Sequence, residues 1–162
     1  MNSGNGLDMF ISISLTYPEL NAVRYDADHN IIGLEVAVQG EISAEEEISF
    51  LHCIYRSLDL YHRRQIINAE VAKVYLRRLN ELSLLHYERD MGTMSEGEME
   101  LVINLIRDNF PDRIIFDRGD SITEEPFKHR VKQNLLKNIS KNEDKHHFLA
   151  FRKKGKVLVF QK

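Results

Sequence analysis

Apolar and polar residues alternate near the start of the chain. Ile11, Ile13 and Leu15 are separated by Ser12 and Ser14, a period of two that predicts a strand over residues 9–15. Tyr17-Pro18-Glu19 breaks it, because proline cannot donate to a ladder. Residues 22–26 predict a second strand, and Asp28-His29-Asn30 supplies turn chemistry. Residues 31–39 predict a third strand, with Ile32, Leu34, Val36 and Val38 on one face and Gly33, Glu35 and Ala37 on the other. Together these strands read as an antiparallel meander with one covered face.

The period then lengthens. Ser43 with Glu46 three residues later is a capping box that opens a helix, and Glu45, Glu46 and Glu47 complement its positive dipole end. Ile48, Leu51, Tyr55 and Leu58 follow at helical spacing. The pattern loosens over residues 63–68 and resumes with Val71, Val74, Leu79 and Leu82, which predicts two helices packed as a hairpin or one long bent helix. Residues 84–89 fit the last turns of that helix or a strand. Ser95 with Glu98 is a second capping box, followed by an apolar stripe of Met99, Val102, Ile103, Ile106 and Phe110 that Pro111 ends. Residues 113–117 predict a short strand. Thr123 caps a further helix with Phe127, Val131, Leu135 and Ile139 on its buried side.

Residues 147–152 and 156–161 are two β-rich runs around Lys153-Lys154-Gly155, a hairpin signature. With Lys154-Gly155 as the loop, Phe151 pairs with Leu158, Leu149 with Phe160, and Ala150 with Val159. Both faces are largely apolar, which places the hairpin centrally in its sheet or covers it on both sides. The expected fold is α+β: an N-terminal meander, about four helices, and a C-terminal hairpin joining or extending the sheet. Residues 1–8 read as a disordered tail and 9–162 as one domain.

Composition narrows the class. The chain has 162 residues, 43% hydrophobic and 29% charged, values ordinary for a globular domain. No apolar run reaches the length of a membrane span, and no leader pattern precedes residue 9, so the expected setting is cytoplasmic, with no membrane partner. The single cysteine, Cys53, sits in an apolar helical pattern and reads as a buried, inert thiol.

Charge adds more. Up to Pro126 there are 23 acidic and 11 basic residues, a balance of −12; from Phe127 onward there are 11 basic residues against Glu143 and Asp144, a balance of +9. The net charge of −3 therefore hides a dipolar chain. On the helix after Thr123, Arg130, Lys137 and Lys141 fall in one arc away from the apolar stripe, with Lys128 and Lys132 at its far edge. The hairpin adds Arg152, Lys153, Lys154 and Lys156. If the helix and hairpin merge their cations, the surface suits a phosphate backbone, which requires positive charge rather than a motif; a solvated helix face and hairpin tip would use the same lysines.

Other chemistry is sparse. His52, His62, His86, His129, His146 and His147 show no His-x3-His spacing, and His52-Cys53 and His146-His147 are adjacent pairs that diverge on a helix or alternate on a strand, so no metal site is expected from them. His62, Arg63 and Arg64 read as a cationic helix end. Tyr55, Tyr61, Tyr75 and Tyr87 read as core-edge residues with solvated hydroxyls. No P-loop, G-x-G-x-x-G or nucleophile elbow occurs. The leading expectation is a non-enzymatic binding module, without cofactor, whose basic end (Lys128, Arg130, Lys132, Lys137, Lys141, Arg152, Lys153, Lys154, Lys156) contacts nucleic acid or an RNA–protein assembly. The alternatives are a regulatory domain that binds an acidic protein surface or a second copy of itself, and a small metal-dependent enzyme built on Asp117, Asp120 and Glu124.

Overall fold

The computed structural model describes residues 3–116, 146–153 and 156–161. Its elements are α1 (Ser3–Thr16), β1 (Leu20–Asp26), β2 (Ile31–Gln39), α2 (Ala44–Gln65), β3 (Ala72–Arg78), β4 (Leu82–Asp90), α3 (Glu96–Asn109), β5 (Ile114–Ile115), β6 (His147–Lys153) and β7 (Lys156–Gln161), with a 3-10 turn at Met91–Thr93. The fold is α+β, with a seven-stranded antiparallel sheet in the order β3-β4-β2-β1-β6-β7 and β5 pairing β2 beyond the end of β1. Three α-helices lie among the described residues, where about four were expected. The helix expected after Thr123 lies outside them.

Two local expectations are corrected. Residues 9–15 form the last turns of α1 rather than a strand. The serines that made the pattern alternate are reconciled with the helix by back-bonding: Ser14 Oγ donates to the Phe10 carbonyl at 2.8 Å, and Thr16 Oγ1 to the Ser12 carbonyl at 2.6 Å. Phe10, Ile11 and Ile13 are all buried, as neighbouring positions on a strand would not be on a single face. The meander accordingly shrinks to the β1–β2 hairpin. Residues 71–82 form no helix. α2 ends at Ile66, which adopts left-handed geometry (φ 56°) and donates to the Arg63 carbonyl. A β-branched residue in that conformation is an unusual helix stop, and it hid the boundary. Beyond it β3 and β4 form a hairpin closed by Leu79 N–H donating to the Leu82 carbonyl at 2.8 Å, a turn without glycine or proline.

Cys53 is half-buried rather than buried, and the C-terminal hairpin lies at the end of the strand order with Phe160 exposed rather than centrally or covered on both sides. Other local expectations are met. Ser43 and Glu46 form the reciprocal capping box, and His62, Arg63 and Arg64 occupy the last turn of α2. The stripe from Met99 to Phe110 is buried throughout. The C-terminal hairpin has the expected register, Phe151 opposite Leu158 and Leu149 opposite Phe160, and joins the sheet through β6 on β1.

The helices pack on one face. Phe50, Ile54 and Leu58 of α2 and Met99, Val102, Ile103 and Ile106 of α3 share a core with Leu34, Val36, Leu85 and Tyr87. Over β1 and β6, α1 contributes Phe10, which with Tyr25 and Phe148 forms a ring trio at centroid spacings of 6.0–6.1 Å. Arg152 of β6 donates to the Ser14 and Leu15 carbonyls at 2.9 Å, satisfying the C-terminal end of α1.

The layers are tied by a buried polar network. Arg89 on β4 and Glu98 on α3 are both fully buried. Arg89 Nε and Nη2 donate to the two Glu98 oxygens at 2.6 and 3.0 Å, and its other donors meet Asp90, Thr93 Oγ1 at 2.7 Å and the Thr93 carbonyl at 2.9 Å. Tyr87 donates to Glu98 Oε2 at 2.6 Å, and His62 Nε2 lies 2.5 Å from Oε1. Tyr61 and Ser95 share a 2.7 Å hydroxyl contact, and an added Cβ on Gly97 would sit 2.6 Å from the Tyr61 hydroxyl, so a side chain there would displace that hydroxyl from Ser95. Glu98 is thus claimed by the network, although Ser95 still caps α3 by accepting from Glu98 N–H.

Burial works to raise the Glu98 carboxyl, but the hydrogen bonds from Arg89, Tyr87 and His62 outweigh it and hold it below its ordinary value of 4.5. A depressed folded-state value means that the stability from this group is complete above 4.5 and is lost as pH falls through the lower value. We expect urea midpoints to fall steeply on acidification below that point, and the slope to shrink in Glu98→Gln. An equal slope in both proteins would show that Glu98 titrates as in the unfolded chain.

Candidate functional site

The face of the sheet opposite the helices carries the candidate site. Alternation fixes its residues: Lys73, Tyr75 and Arg77 on β3, His86 and Glu88 on β4, Gly33 and Glu35 on β2, Arg24 on β1, His147, Leu149 and Phe151 on β6, and Leu158 and Phe160 on β7. One half is polar and the other, on the C-terminal hairpin, is apolar. Phe151 and Phe160 stack there at 5.3 Å, and Phe160 remains 52% exposed. A groove of about 470 Å³ runs between the halves, with Arg24, Asp26, Gly33, Glu88, His147 and Phe160 among its lining. Gly33 forms part of its floor, where a side chain would project into the space; an added Cβ meets only Arg24 Cβ, at 3.9 Å.

At the end of the hairpin where β6 leads into β7, Lys153 and Lys156 are directly opposite and both exposed. Like charges in that relation repel, and an anion between them relieves the repulsion. Of the other cations expected at the site, Arg152 caps α1, whereas Lys128, Arg130, Lys132, Lys137, Lys141 and Lys154 lie outside the described residues. So do Asp117, Asp120 and Glu124.

His86 stands in the polar half. It stacks on Tyr75 at 4.7 Å and 12°, beside a cavity of about 40 Å³ that Gly33, Glu35 and Glu88 also line. Its Nε2 has no hydrogen-bond partner and lies 3.8 Å from Glu35 Oε1, while Glu35 Oε2 accepts from Asn21 at 2.6 Å. All four tyrosines expected to have solvated hydroxyls instead bond within the protein: Tyr75 donates to Glu88 at 3.0 Å, and Tyr55 accepts from Val74 N–H at 2.8 Å, tying α2 to β3.

The β1–β2 turn closes one end of the groove. Asp26 Oδ1 accepts from the Asp28 and His29 amides at 3.0 and 3.2 Å, and Oδ2 meets His29 Nδ1 at 2.7 Å. His147 Nδ1 lies 3.9 Å from Asp26 Oδ1, and His146 Nδ1 lies 3.4 Å from Asp28 Oδ1. Burial works to raise the Asp26 carboxyl, but the His29 hydrogen bonds outweigh it and hold it below the usual carboxylate range; in return Asp26 raises His29. No motif marks this cluster, because its two halves meet only through the pairing of β1 with β6.

No family model matches the chain, and no curated protein or solved structure matches it significantly. No described helix is long and apolar enough to cross a membrane.

Burial lowers the His86 imidazole below its ordinary value of 6.5, outweighing the attraction of Glu35. A lowered folded-state value means stability complete above 6.5 and lost as pH falls through the lower value. An NMR titration of the imidazole carbon-bound protons should show His86 titrating below 6.5. A midpoint above it would mean that Glu35 governs the ring.

Proposed function

We propose that this chain is a non-enzymatic binding module that takes single-stranded nucleic acid on the sheet face opposite the described helices, with the C-terminal hairpin as the main contact. The observation that carries this reading is the exposed Phe160 stacked on Phe151, on the same face as the opposed Lys153 and Lys156. Bases stack on exposed rings whatever their identity, and phosphates seek unpaired cations. Arg24, Lys73 and Arg77, all exposed, extend positive charge across the face. Glu88 and Asp26 oppose an anion, but each is already engaged, Glu88 by Tyr75 and Asp26 by His29. The net charge of +9 after residue 126 supports the same end of the chain as the contact.

A second reading rests on β7. Among the described residues it pairs only with β6, and Val157, Leu158, Val159 and Phe160 make it an apolar end strand suited to pairing with a second copy.

Fluorescence anisotropy with labelled oligo-dT and oligo-U tests the first reading. Binding should appear at low ionic strength and weaken with salt. Phe160→Ala should weaken it about 5- to 150-fold, the equivalent of ~1–3 kcal/mol for one stacked base, and Lys153→Glu with Lys156→Glu should remove its salt dependence. No binding at low salt overturns the reading, and dimers in sedimentation that Phe160→Ala disrupts would favour the second.

A further inference from the structure

We propose that Asp26, Asp28 and His147 form a binding site for one divalent transition-metal ion, with zinc the best match. One ligand atom from each lies within 4.8 Å of the other two. A metal held at about 2.0–2.2 Å by oxygen and nitrogen sets neighbouring ligand atoms roughly 3–4 Å apart. The 3.9 Å between Asp26 Oδ1 and His147 Nδ1 already meets that spacing. Asp28 and His147 have side chains 51% and 58% exposed, so the last adjustment is a rotation in solvent rather than a rearrangement of the core.

The backbone holds the two halves together before any ion arrives. Asp26 and His147 are partners across the β1–β6 ladder, and Ala27 N–H donates to the His146 carbonyl at 2.8 Å. This also explains how adjacent histidines come to serve one place. His146 precedes the strand, so strand alternation does not turn it away from His147, and both imidazoles reach carboxylates of the same turn.

The donor set selects the ion. Two carboxylates with one imidazole suit a borderline cation better than magnesium or calcium, which prefer oxygen alone. His29 on Asp26 Oδ2 and His146 beside Asp28 stand where outer partners orient ligating carboxylates. Among the described residues, the ion-pair partners of Asp26 and Asp28 are all imidazoles, with no lysine or arginine beside either carboxylate. Three protein ligands leave coordination positions open toward the groove that Asp26 and His147 line.

Calorimetric titration of the full chain, stripped with chelator, with zinc chloride tests the proposal independently of nucleic-acid binding. One ion per chain is expected, with magnesium much weaker. Asp28→Asn and His147→Gln should each weaken zinc binding about tenfold or more. Both positions are exposed, and Asp26, whose carboxylate also holds the turn, is left intact. His52→Gln, on an exposed position of α2, should bind as the native chain does. No saturable zinc binding, magnesium binding as tightly as zinc, or full affinity in both Asp28→Asn and His147→Gln would overturn the site.

Discussion

Burying Arg89 against Glu98 is the constraint on which the layering of this protein depends. Both side chains are removed from water completely, which costs several kcal/mol per ion unless every donor and acceptor is met. Here they are met. The guanidinium spends its donors on Glu98, Asp90 and Thr93, and the carboxylate receives Arg89 and Tyr87 and contacts His62. These groups come from β4, from the turn after it, from α3 and from the end of α2. None can shift without stranding a buried charge, so the helical layer is fixed on the sheet in one arrangement.

The network holds α2 and α3 on one side of the sheet, and α1 packs on the same side over β1 and β6. Their apolar stripes are used up on Leu34, Val36, Leu85 and Tyr87 and on the Phe10, Tyr25 and Phe148 trio. Among the described residues, the opposite face carries paired polar residues toward β3 and β4 and the Phe151–Phe160 stack, with Phe160 exposed, toward β7. Acidic residues in the first part of the chain find local partners, Glu46 in Arg113 and Glu47 in Arg78. The opposed Lys153 and Lys156 contrast with those pairs, because they meet each other across the hairpin.

What the sequence revealed was whatever depends on neighbours. The Ser43–Glu46 cap, the stripe from Met99 to Phe110, the β2 alternation and the hairpin register are set within a few residues and were readable. Two elements were misread because short apolar runs fit either period: the α1 serines mimic a strand while bonding back to their own helix, and Val71, Val74, Leu79 and Leu82 mimic a helix while lying in a hairpin. Ile66 concealed the end of α2 by taking a conformation usually left to glycine. The candidate site was less legible. Lys153 and Lys156 followed from the hairpin, but the exposed Phe151–Phe160 stack did not, because two apolar faces read as a covered hairpin, and the approach of His146 and His147 to Asp26 and Asp28 needs the β1–β6 pairing, which no local pattern encodes. The Arg89–Glu98 network was likewise hidden, because a capping glutamate and a strand arginine look like surface residues until the layers meet.

A double-mutant cycle on that pair tests the account most directly, with urea unfolding of Arg89→Met, Glu98→Met and the combined variant. Each single change should cost about 3–5 kcal/mol, because it leaves one buried charge uncompensated, and the combined change should cost far less than their sum. Costs that add to within about 0.5 kcal/mol would show that the two residues do not act as a unit, and that something other than their burial holds the helices to the sheet.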